Sequence, residues 1–176
     1  MPSDLAKPTT RKRVDDKADM LFLKTIRFDN SDLHVFDNAA EPGEWAVSGA
    51  FAFADLPESM VTGKIKQAFA NGILGTDSFG WSTLACIAEI DEASYEAVIE
   101  RIADHFVAAY GAPDREAALP LARQEADFAA GLCEHQVNTL LAVQRSFNDD
   151  GIVERFRIVR PPSPETHTKI WEIVED

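Results

Sequence analysis

Long apolar runs are missing from this chain. The longest, around Gly49 to Ala54, falls far short of the roughly 20 residues that cross a bilayer, so no membrane partner is expected. Basic residues are scarce as well: 17 Lys and Arg stand against 30 Asp and Glu, a net charge of −13. A body this acidic repels phosphate backbones, which argues against nucleic acid as a partner. Solubility is a simpler explanation of the excess than a specific basic partner. Cysteine is limited to Cys86 and Cys133, on segments that read as a buried strand and a helix end, so reduced, packed thiols are expected. Residues 1–19 are polar, and no apolar block follows Arg11-Lys12-Arg13 closely enough for a secretory signal; cytoplasm is the default compartment.

Catalytic signatures are equally thin. Ser78-Phe-Gly-Trp-Ser82 lacks the Gly-x-Ser-x-Gly arrangement of a nucleophile turn, and Thr62-Gly63-Lys64 lacks the preceding glycine of a phosphate loop. Cys133, Glu134 and His135 do not supply the four convergent ligands of a structural zinc site. A metal held by Cys133, His135, Glu125 and a distant group is the remote alternative. No metal or cofactor is expected, and no catalytic residue is assigned. His105 flanks a helical stripe, while His34 and His167 carry no signal.

What is present is a folding pattern. A content of 45% hydrophobic and 27% charged residues in 176 residues supports one soluble domain and not two. Residues 1–19 read as a disordered leader, 20–160 as the domain, and 161–176 as a Pro-rich extension with a docking segment. Within the domain, Leu21–Phe28 and Leu33–Phe36 read as strands. From Trp45 to Phe53 the large residues Trp45, Val47, Phe51 and Phe53 fall at odd positions, giving a strand with one bulky face and one nearly bare one. A short helix, Met60–Ala70, is stopped by Asn71-Gly72. Ser78–Ile90 is apolar on both faces, as a central strand requires.

The clearest helix runs from Glu92 to Tyr110, capped by Asp91, with Tyr95, Val98, Ile99, Ile102, Phe106 and Tyr110 on one side. Asp114 caps another helical stretch that reaches Leu132, started afresh or bent at Pro120. Leu140–Phe147 and Ile152–Arg160 form a hairpin through Asn148-Asp149-Asp150-Gly151. The expected class is α+β: a mostly antiparallel sheet of about six strands with two or three helices on one face.

Two features hint at a site. Glu125 falls inside an apolar helical arc of Ala118, Leu121, Ala122, Phe128, Ala129 and Leu132. It pairs with a base such as Arg27 or Arg145, turns outward at a Pro120 kink, or serves as an acid, base or ligand. Aromatic walls such as Trp45 and Trp81 would flank it in the ligand-binding reading. Arg155 and Arg157 share a strand face with Gln144 and Ser146, a basic patch that either pairs across strands or binds a carboxylate or other anion.

The segments Phe28-Asp-Asn-Ser-Asp32, Ala39-Ala-Glu-Pro-Gly-Glu-Trp-Ala-Val47 and Ser78-Phe-Gly-Trp-Ser-Thr-Leu84 resemble the signature of a bacterial family catalogued only as a domain of unknown function. That resemblance covers about residues 20–160, implies a bacterial cytoplasmic protein, and supplies no activity. The leading expectation is a non-catalytic accessory or assembly protein acting through protein contacts. The alternative is a small enzyme or ligand-binding domain built on Glu125. The apolar segment Lys169–Val174, with Ile170, Trp171, Ile173 and Val174, is expected to fold back on its own domain or to pack in a homodimer.

Overall fold

The structure is a computed structural model that describes residues 20–160 and, as backbone, 172–175. The leader at 1–19, the Pro-rich stretch and Trp171 lie outside the described residues. Leu84–Glu89 (β5), apolar on both faces, lies between Leu21–Ile26 (β1) and Leu140–Asn148 (β6), as its composition requires. Six residue pairs join β1 to β5, from Leu21 opposite Glu89 to Ile26 opposite Leu84. On the far side of β1 come Trp45–Val47 (β2), Ile73–Gly75 (β3) and Trp81–Ser82 (β4); beyond β6 come Gly151–Arg160 (β7) and Glu172–Glu175 (β8). Every neighbouring pair is antiparallel, in the order β4-β3-β2-β1-β5-β6-β7-β8. The α+β class is as expected, with eight strands where about six had been read.

Four α-helices lie among the described residues: Ser31–Val35 (α1), Gly63–Asn71 (α2), Glu92–Ala109 (α3) and Arg115–Gly131 (α4). Asp91 caps α3 by accepting from the Ser94 N–H at 2.7 Å, and Asp114 caps α4 by accepting from the Ala117 N–H at 2.8 Å. Pro120 lies within α4 without dividing it. The α3 stripe of Tyr95, Val98, Ile99, Ile102 and Phe106 packs in one core with Leu23, Ile87, Leu141 and Val143.

The face of α4 differs from the arc read in the sequence. Ala118, Ala122, Ala126 and Ala129 are buried, whereas Leu121 and Phe128 are 53% and 47% exposed. Alanines let α4 approach both α3 and the sheet closely; larger side chains at those positions would hold the layers apart. The arc is therefore right at Ala118, Ala122 and Ala129 and wrong at its flanks, Leu121 and Phe128.

Three further expectations are corrected. The strand begun at Trp45 ends at Val47, because Gly49 adopts φ 83° and starts a 3-10 turn over Ala50–Phe53. A side chain at Gly49 would also lie 2.6 Å from Leu74 Cβ and 2.8 Å from the Trp81 ring. Its odd-numbered rings therefore do not share a strand face, and Ala46 and Ser48 are buried instead of lining a bare one. Leu33–Phe36 is not a strand: α1 occupies most of it, with Asp32 turned inward. Ser78–Ile90 is broken at Thr83 into β4 and β5, and Phe79 takes a positive φ of 54°.

The hairpin of β6 and β7 holds nine pairs in register, from Leu140 opposite Val159 to Asn148 opposite Gly151, with Asp149-Asp150 at its tip. Glu172–Glu175 pairs back onto Arg157–Arg160 of the same chain, which places the backbone of Glu172 to Val174, the described part of the expected docking segment, on the hairpin edge.

On β6, the side-chain alternation that carries Leu141 and Val143 into the core continues to Arg145. Its side chain has no solvent exposure. The guanidinium donates to the carbonyls of Phe69 at 3.0 Å and Gly72 at 2.7 Å, to the Ser48 carbonyl, and to Glu154 Oε2 at 2.7 Å on the opposite strand. It thus caps the C-terminal end of α2, where the free carbonyls and the helix dipole favour a cation. Phe53, Phe69, Phe36 and Val61 form a second core around this end of α2.

Arg145→Leu is expected to lower stability by about 3–5 kcal/mol, since it strands Glu154 and several buried carbonyls. Arg145→Lys should recover only part of this, lacking the planar fork. Urea denaturation measures both; an unchanged midpoint for Arg145→Leu would contradict the assignment.

Candidate functional site

Where adjacent side chains alternate, Ala85, Leu141 and Ile158 face the helical core while Leu84, Ala142, Arg157 and Val159 face the other way. On that outer face lies a cleft of about 420 Å³. Ile26, Leu84, Ala142 and Val159 give it an apolar floor, and the loop after β1, from Arg27 to Asp32, forms a wall.

Two guanidiniums line the cleft. Arg27 donates through Nη2 to the Ala40 carbonyl at 2.5 Å, which fixes its plane. Its Nε is buried and has no hydrogen-bond partner among the described residues, and the same holds for Nε of Arg157. A buried N–H that lacks an acceptor is unfavourable, and an arginine in a protein does not discharge by losing its proton.

The acidic members of the wall are held in different ways. Asp32, 4% exposed, accepts from the Thr83 hydroxyl at 2.6 Å and the Thr83 N–H at 3.2 Å. Asp29 uses only Oδ1 for the Ser31 N–H at 2.9 Å and the Ser31 hydroxyl at 2.7 Å. Those two bonds, the backbone one foremost, hold its carboxyl below the usual range.

The residues singled out in the sequence are not brought together. Arg157 lines the cleft, while Arg155 stands opposite Gln144 on the exposed hairpin and is outside the lining. Glu125 is on α4, across the sheet. Arg145 is engaged with Glu154, and Arg27 with Ala40, so neither is its counter-ion. Among the described residues Glu125 has no hydrogen bond or ion pair; burial raises its carboxyl, and the Glu154 charge raises it further. Trp45 meets Phe22 edge-on at 6.2 Å with Lys24 over its ring at 4.5 Å, and Trp81 packs on Phe53 at 5.2 Å. Neither tryptophan lines a pocket with Glu125.

Other titratable groups have structural surroundings. His105 stacks flat on Phe79 at 3.8 Å, and burial lowers its imidazole. Burial, with the Cys86 charge adding, pushes the Cys133 thiol up to about 12, so it is a poor nucleophile. Among the described residues no group of three His, Cys, Asp or Glu is placed to hold a metal, and no helix is long and apolar enough to cross a membrane.

Sequence reasoning missed Arg27, Asp32 and Glu44. The last is 4% exposed and gathers four donors: the N–H groups of Glu41 (2.7 Å), Asp77 (2.9 Å) and Ser78 (2.9 Å), and the Ser78 hydroxyl (2.7 Å). Burial works against its charged form, but the Ser78 hydroxyl and the three N–H groups outweigh it and lower the carboxyl. Glu44 thereby joins Glu41-Pro-Gly-Glu-Trp45 to Ser78-Phe-Gly-Trp-Ser82, while Asp32 joins the first signature segment to Thr83. The three signature segments form one connected frame behind the cleft wall.

Residues 20–172 match the family model described as Family of unknown function (DUF6505). No curated protein and no solved structure matches the chain.

Two stability outcomes follow from these carboxyls. Glu125 titrates above its unfolded value, so its contribution is present at low pH and lost as pH rises through the folded value. Glu125→Gln should therefore raise the melting temperature by about 2–4 °C at pH 7, with the gain vanishing near pH 4. Glu44 titrates below its unfolded value, so its contribution holds at neutral pH and is lost on acidification. Glu44→Ala should cost about 2–4 kcal/mol at pH 7, measured by urea denaturation, because it orphans several buried N–H groups.

Proposed function

The chain belongs to that family of unknown function, and we propose that it is a non-catalytic binding protein whose outer cleft takes a small anionic molecule. The observation that carries this reading is the pair of buried, unpartnered Nε–H groups of Arg27 and Arg157 at one apolar cleft. A carboxylate or phosphate oxygen supplies the missing acceptor, and charge-assisted bonds of this kind are the stronger class. The cleft volume of about 420 Å³ suits a small organic ligand, since such sites span roughly 300–1,000 Å³. Its floor of Ile26, Leu84, Ala142 and Val159 favours an apolar body behind the anionic end. A bacterial, cytoplasmic setting accords with the acidic body and its thiols, Cys86 and Cys133, neither of which forms a disulfide.

A second reading, an accessory protein working through protein contacts or self-association, has its own support. Leu33 on α1, Met60 in the 3-10 turn Glu58–Met60 and Ile65 on α2 are large apolar side chains left exposed, and α1 packs against α2. Sedimentation of the full chain would test it: a concentration-dependent dimer, weakened by Ile65→Ser, is its expected signature.

For the cleft, isothermal titration with 4-methylpentanoate and with inorganic phosphate is the test. At least one should bind, and Arg157→Gln and Arg27→Gln should each weaken it by about tenfold, equivalent to roughly 1.4 kcal/mol. Absence of binding by both probes, or an affinity unchanged from the wild-type chain in both variants, would refute the reading.

A further inference from the structure

We propose that the ligand of this cleft is a zwitterion, specifically a small amino acid with an apolar side chain. This rests on the anion-binding reading and adds the opposite charge. Among the described residues, the formally charged side chains lining the cleft are Arg27 and Arg157 against Asp29 and Asp32, so that lining is balanced. A ligand bearing only negative charge meets both guanidiniums but also brings its charge beside two carboxylates, and the like-charge contact offsets what the arginines contribute. A molecule that carries a cation next to its anion removes that penalty.

The two acids are not equivalent. Asp32 is buried on α1 and spends both oxygens on Thr83, which fixes the wall in place. Asp29 is exposed, and the Ser31 N–H and hydroxyl both go to Oδ1. Its Oδ2 receives no hydrogen bond from a described residue, which leaves it open to an ammonium group. The Ser31 bonds keep this carboxyl ionised well below neutral pH. Asp29 is thus the acceptor for the cationic end, while Nε of Arg27 and of Arg157 take the anionic end.

The apolar floor supplies the third contact. Ile26, Leu84, Ala142 and Val159 come from four adjacent strands and present only hydrocarbon toward the cleft. An aliphatic side chain buried there gains about 0.8 kcal/mol for each CH₂ removed from water. An ammonium, a carboxylate and a branched aliphatic group on one carbon skeleton together satisfy the whole lining. A second polar side chain would be left on hydrocarbon, which excludes the charged amino acids.

Three probes that differ by one group decide the matter on the full chain: leucine, 4-methylpentanoate, which lacks its amine, and 3-methylbutylamine, which lacks its carboxylate. Titration calorimetry should show leucine binding at least tenfold tighter than either. Asp29→Asn should abolish the advantage of leucine over 4-methylpentanoate, while 4-methylpentanoate itself binds more tightly once the like charge beside its carboxylate is gone. Arg157→Gln should weaken both. If 4-methylpentanoate binds as tightly as leucine, or Asp29→Asn leaves their ratio unchanged, the zwitterion is overturned and the anion site stands. If none of the three binds, or the amine alone binds, the zwitterion is overturned, and the anion site falls with it when inorganic phosphate also fails to bind. Asp29 is exposed and outside the regular elements, so the unmodified thermal transition expected of Asp29→Asn separates lost binding from lost folding.

Discussion

The buried guanidinium of Arg145 is the interaction on which the rest of the arrangement depends. Moving such a group out of water costs several kcal/mol even after relaxation, and only a full set of acceptors offsets it. Here the acceptors come from three separate parts of the chain: the end of α2, the Ser48 carbonyl just after β2, and Glu154 on the opposite hairpin strand. Because one planar fork serves all three, none can shift without leaving the charge short of a partner. The second core of Phe36, Phe53, Phe69 and Val61 is assembled around the helix end that this fork secures.

That arrangement divides the sheet into two working faces. Ala118, Ala122, Ala126 and Ala129 bring α4 close on one side, and that face is packed into the main hydrophobic core. On the other side, no long helix among the described residues covers Ile26, Leu84, Ala142 and Val159, and the segment from Arg27 to Asp32 stands over them instead. The hairpin of β6 and β7 serves both faces, since Arg145 and Arg157 point to opposite sides by strand alternation. Stability and recognition are thereby assigned to different side chains of the same hairpin.

Where local chemistry decides the conformation, the sequence was readable. Helix α3 is announced by Asp91 and a stripe of large apolar residues, and the β6–β7 hairpin by its Asn-Asp-Asp-Gly turn. Where packing distance decides, it was not. The alanines of α4 are poor signals of burial, so Ala126 was left out of the expected core while Leu121 and Phe128, both largely exposed, were read into it. Gly49 fits an alternating pattern as a mere gap, although its positive φ ends the strand. Of the cleft, only Arg157 was foreseen. Arg27 and Asp32 lie in a turn-rich stretch, and their roles arise from Ala40 and Thr83, partners distant in sequence.

The Glu44 grip has a consequence for how this chain tolerates sequence drift. Its carboxylate is bound to Asp77 and Ser78, and a side chain built at Gly75 would run into its Oε1 and lie 3.3 Å from Ala40 Cβ. A change at Gly75 is thus most harmful while Glu44 is present, and a change at Ser78 matters chiefly through the acceptor it abandons. Effects at such touching positions do not add. These sites form one unit of inheritance: single steps are penalised, and the segments can diverge only by changing together.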